Sequence, residues 1–158
     1  TWNLASTNNP HGGTKDIEAT SLGANAYIQG MATGTVSLET YTQLNFYIRS
    51  KATWASGRGL YIAWYSNGVR KSNNIFLAHG FFNFNSSNTA DYQLISIPIS
   101  QFTVAAGVTV NQLRMSRVGG AIGFYLDDIE ITDSGDEVGP QVRCHADYRH
   151  SGHTCGDG

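Results

Sequence analysis

Gly123-Phe124-Tyr125-Leu126-Asp127-Asp128-Ile129-Glu130-Ile131 alternates as a β-strand does, yet carries two adjacent acids at its centre. With a side-chain period of two, one of those acids is expected to point at the core. A carboxylate aimed at a core is costly unless a cation or a set of hydrogen-bond donors pairs it. Strict alternation puts Tyr125, Asp127, Ile129 and Ile131 on one face, and Leu126, Asp128 and Glu130 on the other. Ile129 and Ile131 mark the first face as core, so Asp127 is expected inward and Asp128 in solvent. The segment reads as the closing strand of an all-β sandwich. Asp127 would then sit at a structural cation or bond to loop amides.

Working outward, the same period recurs along the chain. In residues 43–50, Leu44, Phe46 and Ile48 alternate with Asn45, Tyr47 and Arg49. In residues 60–66, Leu60, Ile62 and Trp64 share one face, and Tyr61, Ala63 and Tyr65 the other. Asn67-Gly68 predicts a two-residue hairpin, because both central positions of a type I′ turn need positive φ. Further strands are expected at 15–20, 26–29, 69–73, 75–78, 81–84, 92–99 and 110–117. Residues 36–42 and 52–59 read as connections, the second holding Trp54, and Pro98 suits an edge or a strand end. No stretch carries a helical stripe. About ten strands at turn spacings of roughly 8–12 residues predict an antiparallel sandwich or jelly roll.

Composition agrees. Charged residues are 14% of the 158, against about 25% in a typical domain, and Ser, Thr, Asn, Gln and eighteen Gly supply the polarity. A net charge of −2 argues against nucleic acid, whose binders show a basic stripe. No window approaches the ~20 apolar residues that span a bilayer. The chain begins at Thr1 and shows no signal-peptide pattern, so either a processed protein or a fragment of a longer one is expected, the fragment being favoured. Residues 1–132 form the expected sandwich. Residues 133–158 read as a polar tail or linker holding both cysteines.

Four segments in order resemble the carbohydrate-binding-module-like, galactose-binding-like β-sandwiches. These occur beside polysaccharide-degrading enzymes and in bacteriophage tail fibres and adhesion proteins. His11-Gly12-Gly13-Thr14-Lys15-Asp16-Ile17-Glu18-Ala19 is similar to their "HSGxKSIxV" opening strand, and Tyr41-Thr42-Gln43-Leu44-Asn45-Phe46-Tyr47-Ile48 to "YxxLxFxI". Tyr92-Gln93-Leu94-Ile95-Ser96-Ile97-Pro98-Ile99-Ser100-Gln101-Phe102 resembles "YQxVxIPLSxF", and Phe124-Tyr125-Leu126-Asp127-Asp128-Ile129 the closing "FYLDDI". The resemblance implies a non-catalytic module recognising a polysaccharide or cell-surface glycan. It also implies an extracellular setting, a larger multi-domain or oligomeric parent, and one structural Ca²⁺. That ion would be held by Asp127, the Asp16 carboxylate and loop carbonyls such as those of Gly13 and Lys15. The family often adds an acid upstream of the first strand, and nothing acidic precedes Asp16 here. The alternative implied function is a fibre or adhesin module that packs against other subunits and binds no sugar.

Glycan sites combine rings that stack on apolar C–H faces with planar polar groups that take hydroxyls. If the strands at 43–50 and 60–66 are neighbours, Asn45, Tyr47, Arg49, Tyr61 and Tyr65 form one open platform. Otherwise the tyrosines serve as strand formers and cross-strand partners. Trp54, in a polar loop, is expected to be exposed and to join the site, and Trp64 is expected in the core. Cys144, His145, His150, His153 and Cys155 could bind Zn²⁺, form a disulfide or stay free. The acids are scattered and show no paired cleft carboxylates. His11 and His79 are the only histidines before the tail, so no catalytic triad is expected.

Overall fold

The computed structural model describes residues 2–6 and 16–133. Ten strands follow one another: β1 (Trp2–Ser6), β2 (Asp16–Leu22), β3 (Tyr27–Ser37), β4 (Tyr41–Ser50), β5 (Gly59–Ser66), β6 (Val69–Arg70), β7 (Ile75–Leu77), β8 (Gln93–Pro98), β9 (Thr109–Val118) and β10 (Ile122–Asp133). Two short 3₁₀ turns, Leu38–Thr40 and Ile99–Gln101, follow β3 and β8. Sheet one has the order β1-β2-β10-β4-β8, and sheet two the order β3-β9-β5, with β6 and β7 both paired to the far side of β5. Every pairing is antiparallel.

The inner rows are those that alternation picks out. Leu44, Phe46 and Ile48 of β4, Ile95 and Ile97 of β8, and Leu60 and Ile62 of β5 are fully enclosed between the sheets. Each such side chain contributes about 1.5–3 kcal/mol of burial. Trp64 is core, as its phase predicts. The hairpin forms at Asn67 and Gly68, with φ of 48° and 82°. Pro98 ends β8, an edge strand of sheet one, where its missing N–H leaves no gap in a ladder.

Three local expectations fail for identifiable reasons. The strand predicted at 81–84 is a turn, because Phe82 and Asn83 take φ of 52° and 60° and consecutive left-handed residues cannot extend. Phe84 of that run is buried in the core, Phe82 packs against it and Phe81 is exposed. β3 continues through the expected connection to Ser37, its register shifting between Met31 and Val36 around Gly34 at φ 84°.

The third concerns the closing strand. Asp127 pairs with Tyr47, but Glu130 pairs with Asn45, so three steps on β10 match two on β4. This is a β-bulge with Asp128 at φ 50°, a conformation that Asp tolerates better than most residues. The Asp127 carboxylate accepts the Asp128 N–H at 2.8 Å and braces the kink. One extra residue inverts the phase. Phe124 and Leu126 face inward before the bulge and Ile131, opposite Leu44, after it. Asp127 therefore lies on the outer face of sheet one beside Tyr47, not toward the core as strict alternation predicts.

Candidate functional site

The predicted platform is divided by the fold. β4 belongs to sheet one and β5 to sheet two, because residues 51–58 carry the chain across the end of the sandwich. Asn45, Tyr47 and Arg49 share the outer face of sheet one, while Tyr61 and Tyr65 share the outer face of sheet two. The two sets point in opposite directions and cannot contact one ligand together.

Trp54 is not a surface aromatic. It is 5% exposed, plugging the end where the chain changes sheets. Its ring meets Phe84 edge-on at 5.0 Å and Phe124 at 6.0 Å. Its Nε1 donates to the Gly123 carbonyl at 3.4 Å, and its backbone N–H to Ser86 Oγ at 3.2 Å. The surrounding loop is polar, yet its one large apolar side chain is the lid of the core.

The outer face of sheet one is a closed polar network at its β2 side. The Arg49 guanidinium lies over the rings of Tyr125 at 4.5 Å and Tyr92 at 5.8 Å, and its Nη1 donates to the Thr89 carbonyl. Lys51 pairs with Glu18. That bond holds the ammonium above its ordinary pKa, against the opposing pull of burial. Tyr92 donates its hydroxyl to Asp16 Oδ2 at 2.8 Å. Asp16 is only 3% exposed, and its Oδ1 is buried without a hydrogen-bond partner among the described residues. Burial first, then the bond to Asp16 and the negative charges of Asp16 and Asp127, push the Tyr92 phenol well above its usual range. Asn45 donates to Thr132 Oγ1 at 3.4 Å.

Of the expected Ca²⁺ ligands, Asp16 and Asp127 fall together. Leu126 pairs with Ile17, so the residues on either side, Asp127 and Asp16, lie across the β10–β2 ladder on one outer face. Gly13 and Lys15 lie outside the described residues, as do Cys144, His145, His150, His153 and Cys155. Among the described residues no three His, Cys, Asp or Glu side chains gather as a metal cage. A buried carboxylate oxygen without a partner, beside a second carboxylate, nonetheless has the hard-oxygen chemistry that Ca²⁺ takes.

The outer face of sheet two is open and built differently. One row crosses the strands as Tyr27 (β3), Ser116 (β9), Tyr61 (β5) and Phe76 (β7). Tyr27 is 43% and Tyr61 38% exposed. They stand two strand spacings apart, roughly 10 Å, with the small Ser116 between them. Tyr61 meets Phe76 edge-on at 5.8 Å, and Phe76 stacks on Phe81 at 5.2 Å. The next row is Gln29, Arg114 and Ala63. The Arg114 guanidinium is held between the rings of Tyr27 at 4.3 Å and Tyr65 at 4.2 Å, and its Nε donates to Gln29 Oε1 at 2.7 Å. The result is a shallow trough with Ser116 and Ala63 as its floor, tyrosines as its walls, and a guanidinium and an amide inside.

Tyr61 and Tyr65 were legible in the sequence as part of this face. Tyr27, Gln29, Ser116 and Arg114 were not, because β9 inserts between β3 and β5 and no local pattern announces that order. A separate cavity of about 340 Å³ opens between the sheets beside the β10 bulge, lined by Leu44, Trp64, Leu113, Leu126 and Ile131 among others. Asn111, Gln112 and the acids Asp16, Asp127, Asp128 and Glu130 line it as well, so it adjoins the candidate cation site.

No protein-family model matches this sequence, and no curated protein matches it. Solved structures do match in fold. A family 30 carbohydrate-binding module superposes with a TM-score of 0.57 over 91% of this chain and 80% of its own, at 16% identity. The family 30 module of the cellulosomal cellulase Cel9D-Cel44B of Clostridium thermocellum gives 0.55 over 85% and 83%, also at 16%. SGBP-B from a complex xyloglucan utilization locus in Bacteroides uniformis gives 0.56 over 84% of this chain at 15% identity. This chain spans 44% of that protein's length. The described part of the chain is thus a two-sheet antiparallel β-sandwich with the fold of carbohydrate-binding modules.

Proposed function

We propose that this chain is a non-catalytic module that binds a polysaccharide or cell-surface glycan on the outer face of sheet two. The observation that carries the reading is the trough in which exposed Tyr27 and Tyr61 flank Ser116, with Arg114 and Gln29 alongside. Exposed rings stack on sugar C–H faces, and the planar polar groups take hydroxyls in pairs. The outer face of sheet one supports this less well, since Arg49, Lys51 and Tyr92 already serve its own carboxylates and carbonyls. The folds it resembles come from proteins named for carbohydrate binding, a cellulase and a xyloglucan locus. An extracellular or cell-surface setting, within a longer protein, accords with that company.

The test is affinity electrophoresis and a glycan array with the whole chain. Tyr61→Ala and Tyr27→Ala should each weaken retention roughly tenfold, the loss of one stacking contact of about 1–1.5 kcal/mol. Their melting temperatures should stay near that of the parent. Retention on no glycan by the parent chain, or equal retention by both variants, sinks the reading. Self-association without any glycan signal would favour the fibre or adhesin alternative.

We further propose that Asp16 and Asp127 hold a structural Ca²⁺, which would neutralise two carboxylates on adjacent strands and tie β2 to β10. Support comes from Asp16 Oδ1, which has no hydrogen-bond partner among the described residues. Since Ca²⁺ takes six to eight oxygens, backbone carbonyls must supply the remainder. EDTA should then lower the melting temperature and added Ca²⁺ restore it, with Asp127→Asn abolishing the response. A melting curve indifferent to EDTA rejects the site.

A further inference from the structure

The two outer faces differ sharply in charge. The sheet-one strands carry Asp16, Glu18, Asp127, Asp128, Glu130 and Asp133 against Arg49 alone. The sheet-two strands carry no Asp or Glu at all, but hold Arg70, Arg114 and Arg117. Arg117 lies in the inward phase at the rim, opposite Leu60, and donates to the Gly119 carbonyl. Arg114 and Arg70 belong to the open face, Arg70 being exposed and opposite Tyr65 on β6. Glu39, the acid in the turn after β3, sits at the end of that strand remote from Tyr27 and accepts the Gly107 N–H.

Among the described residues no carboxylate pairs with Arg114. The rings of Tyr27 and Tyr65 both pack on its guanidinium, at 4.3 and 4.2 Å, and Gln29 takes its Nε. What remains is the in-plane edge of Nη donors, a planar fork that matches a carboxylate bidentately. A cation merely gluing two rings together would need neither an oriented Nε nor a surface free of acids. Rings already packed on the fork lower the ordering cost of binding.

From this complementarity of charge and shape, and resting on the reading of the face as a glycan site, we infer that its ligand is an acidic polysaccharide built from uronic acids. Arg114 pairs with a uronate carboxylate, Arg70 with a neighbouring one, and Tyr27 and Tyr61 stack on the sugar rings.

The experiment compares retention of the whole chain on polygalacturonate, dextran sulfate and hydroxyethylcellulose, at low and high salt. Polygalacturonate is expected to be held most tightly. Arg114→Gln is expected to weaken that retention roughly tenfold, as loss of a charge-assisted pair does, with its melting temperature checked. Arg70→Gln, at an exposed position, is expected to weaken it by a smaller factor, with its melting temperature checked as well. Tyr61→Ala is also expected to reduce it. Equal or tighter binding of hydroxyethylcellulose, unchanged by Arg114→Gln, overturns the inference and leaves the proposed function standing. A preference for dextran sulfate overturns the uronate assignment. Retention that survives Tyr61→Ala and vanishes in salt is bare ion exchange and likewise overturns it. Binding to none of the polymers, nor to a glycan array, removes the proposed function itself.

Discussion

Trp54→Ala is expected to destabilise the sandwich by about 3–5 kcal/mol, the usual cost of emptying a buried indole site. The side chain closes one end of the core. It contacts Phe84 and Phe124 edge-on and leaves only 5% of its surface to solvent. The loss would also release the Nε1 bond to the Gly123 carbonyl, which would keep only the Lys51 N–H at 3.0 Å. Small domains are stable by about 5–15 kcal/mol, so much of the margin would go. Trp54→Phe keeps most of the apolar volume and should cost distinctly less. Urea unfolding followed by circular dichroism measures both. A Trp54→Ala protein with an unchanged unfolding midpoint would place the ring at the surface after all. Reduced glycan retention by this variant would be a consequence of unfolding, which is why Tyr61→Ala is the better probe of the binding face.

Tyr92→Phe is expected to cost about 1.5–3 kcal/mol, the range for a hydrogen bond to a charged group. Its hydroxyl donates to Asp16 Oδ2, and the other oxygen of that buried carboxylate has no partner among the described residues. The same contact makes stability depend on alkaline pH. Burial, the bond to Asp16 and the nearby carboxylate charges raise the phenol's pKa in the folded protein above its ordinary value of 10. Below that value both states hold the proton, and the contribution is fully present. Above it the unfolded chain releases the proton while folded Tyr92 keeps it, so the unfolded state binds fewer protons and stability falls as pH rises. Urea midpoints from about pH 9 to 11 should therefore decline more steeply for the parent than for Tyr92→Phe. Parallel declines would remove Tyr92 as the cause.

Much of the fold could be read from chain order. The rows Leu44-Phe46-Ile48 and Leu60-Ile62-Trp64 predict their buried faces because a strand's side chains alternate wherever its partners lie. Asn67-Gly68 predicts its hairpin because positive φ is a property of those two residues. The candidate site was only half legible. Tyr61 and Tyr65 lie on an outward face as their phase requires, but their neighbours depend on β9 pairing with both β3 and β5. Trp54 misleads because loop composition reports local polarity and not which core a loop closes.

The closing strand shows where the division falls. Its strand character and its place as the last strand in chain order follow from the sequence, since periodicity and turn chemistry are local. The direction of Asp127 does not. A single inserted residue at Asp128 inverts every side chain beyond it relative to those before it, and only pairing with β4 and β2 exposes that insertion. Pairing brings together residues remote in sequence, so it decides what no local period contains. It sets Asp127 beside Asp16 on the acidic outer face of sheet one, and Arg114 between two tyrosines on the acid-free face of sheet two.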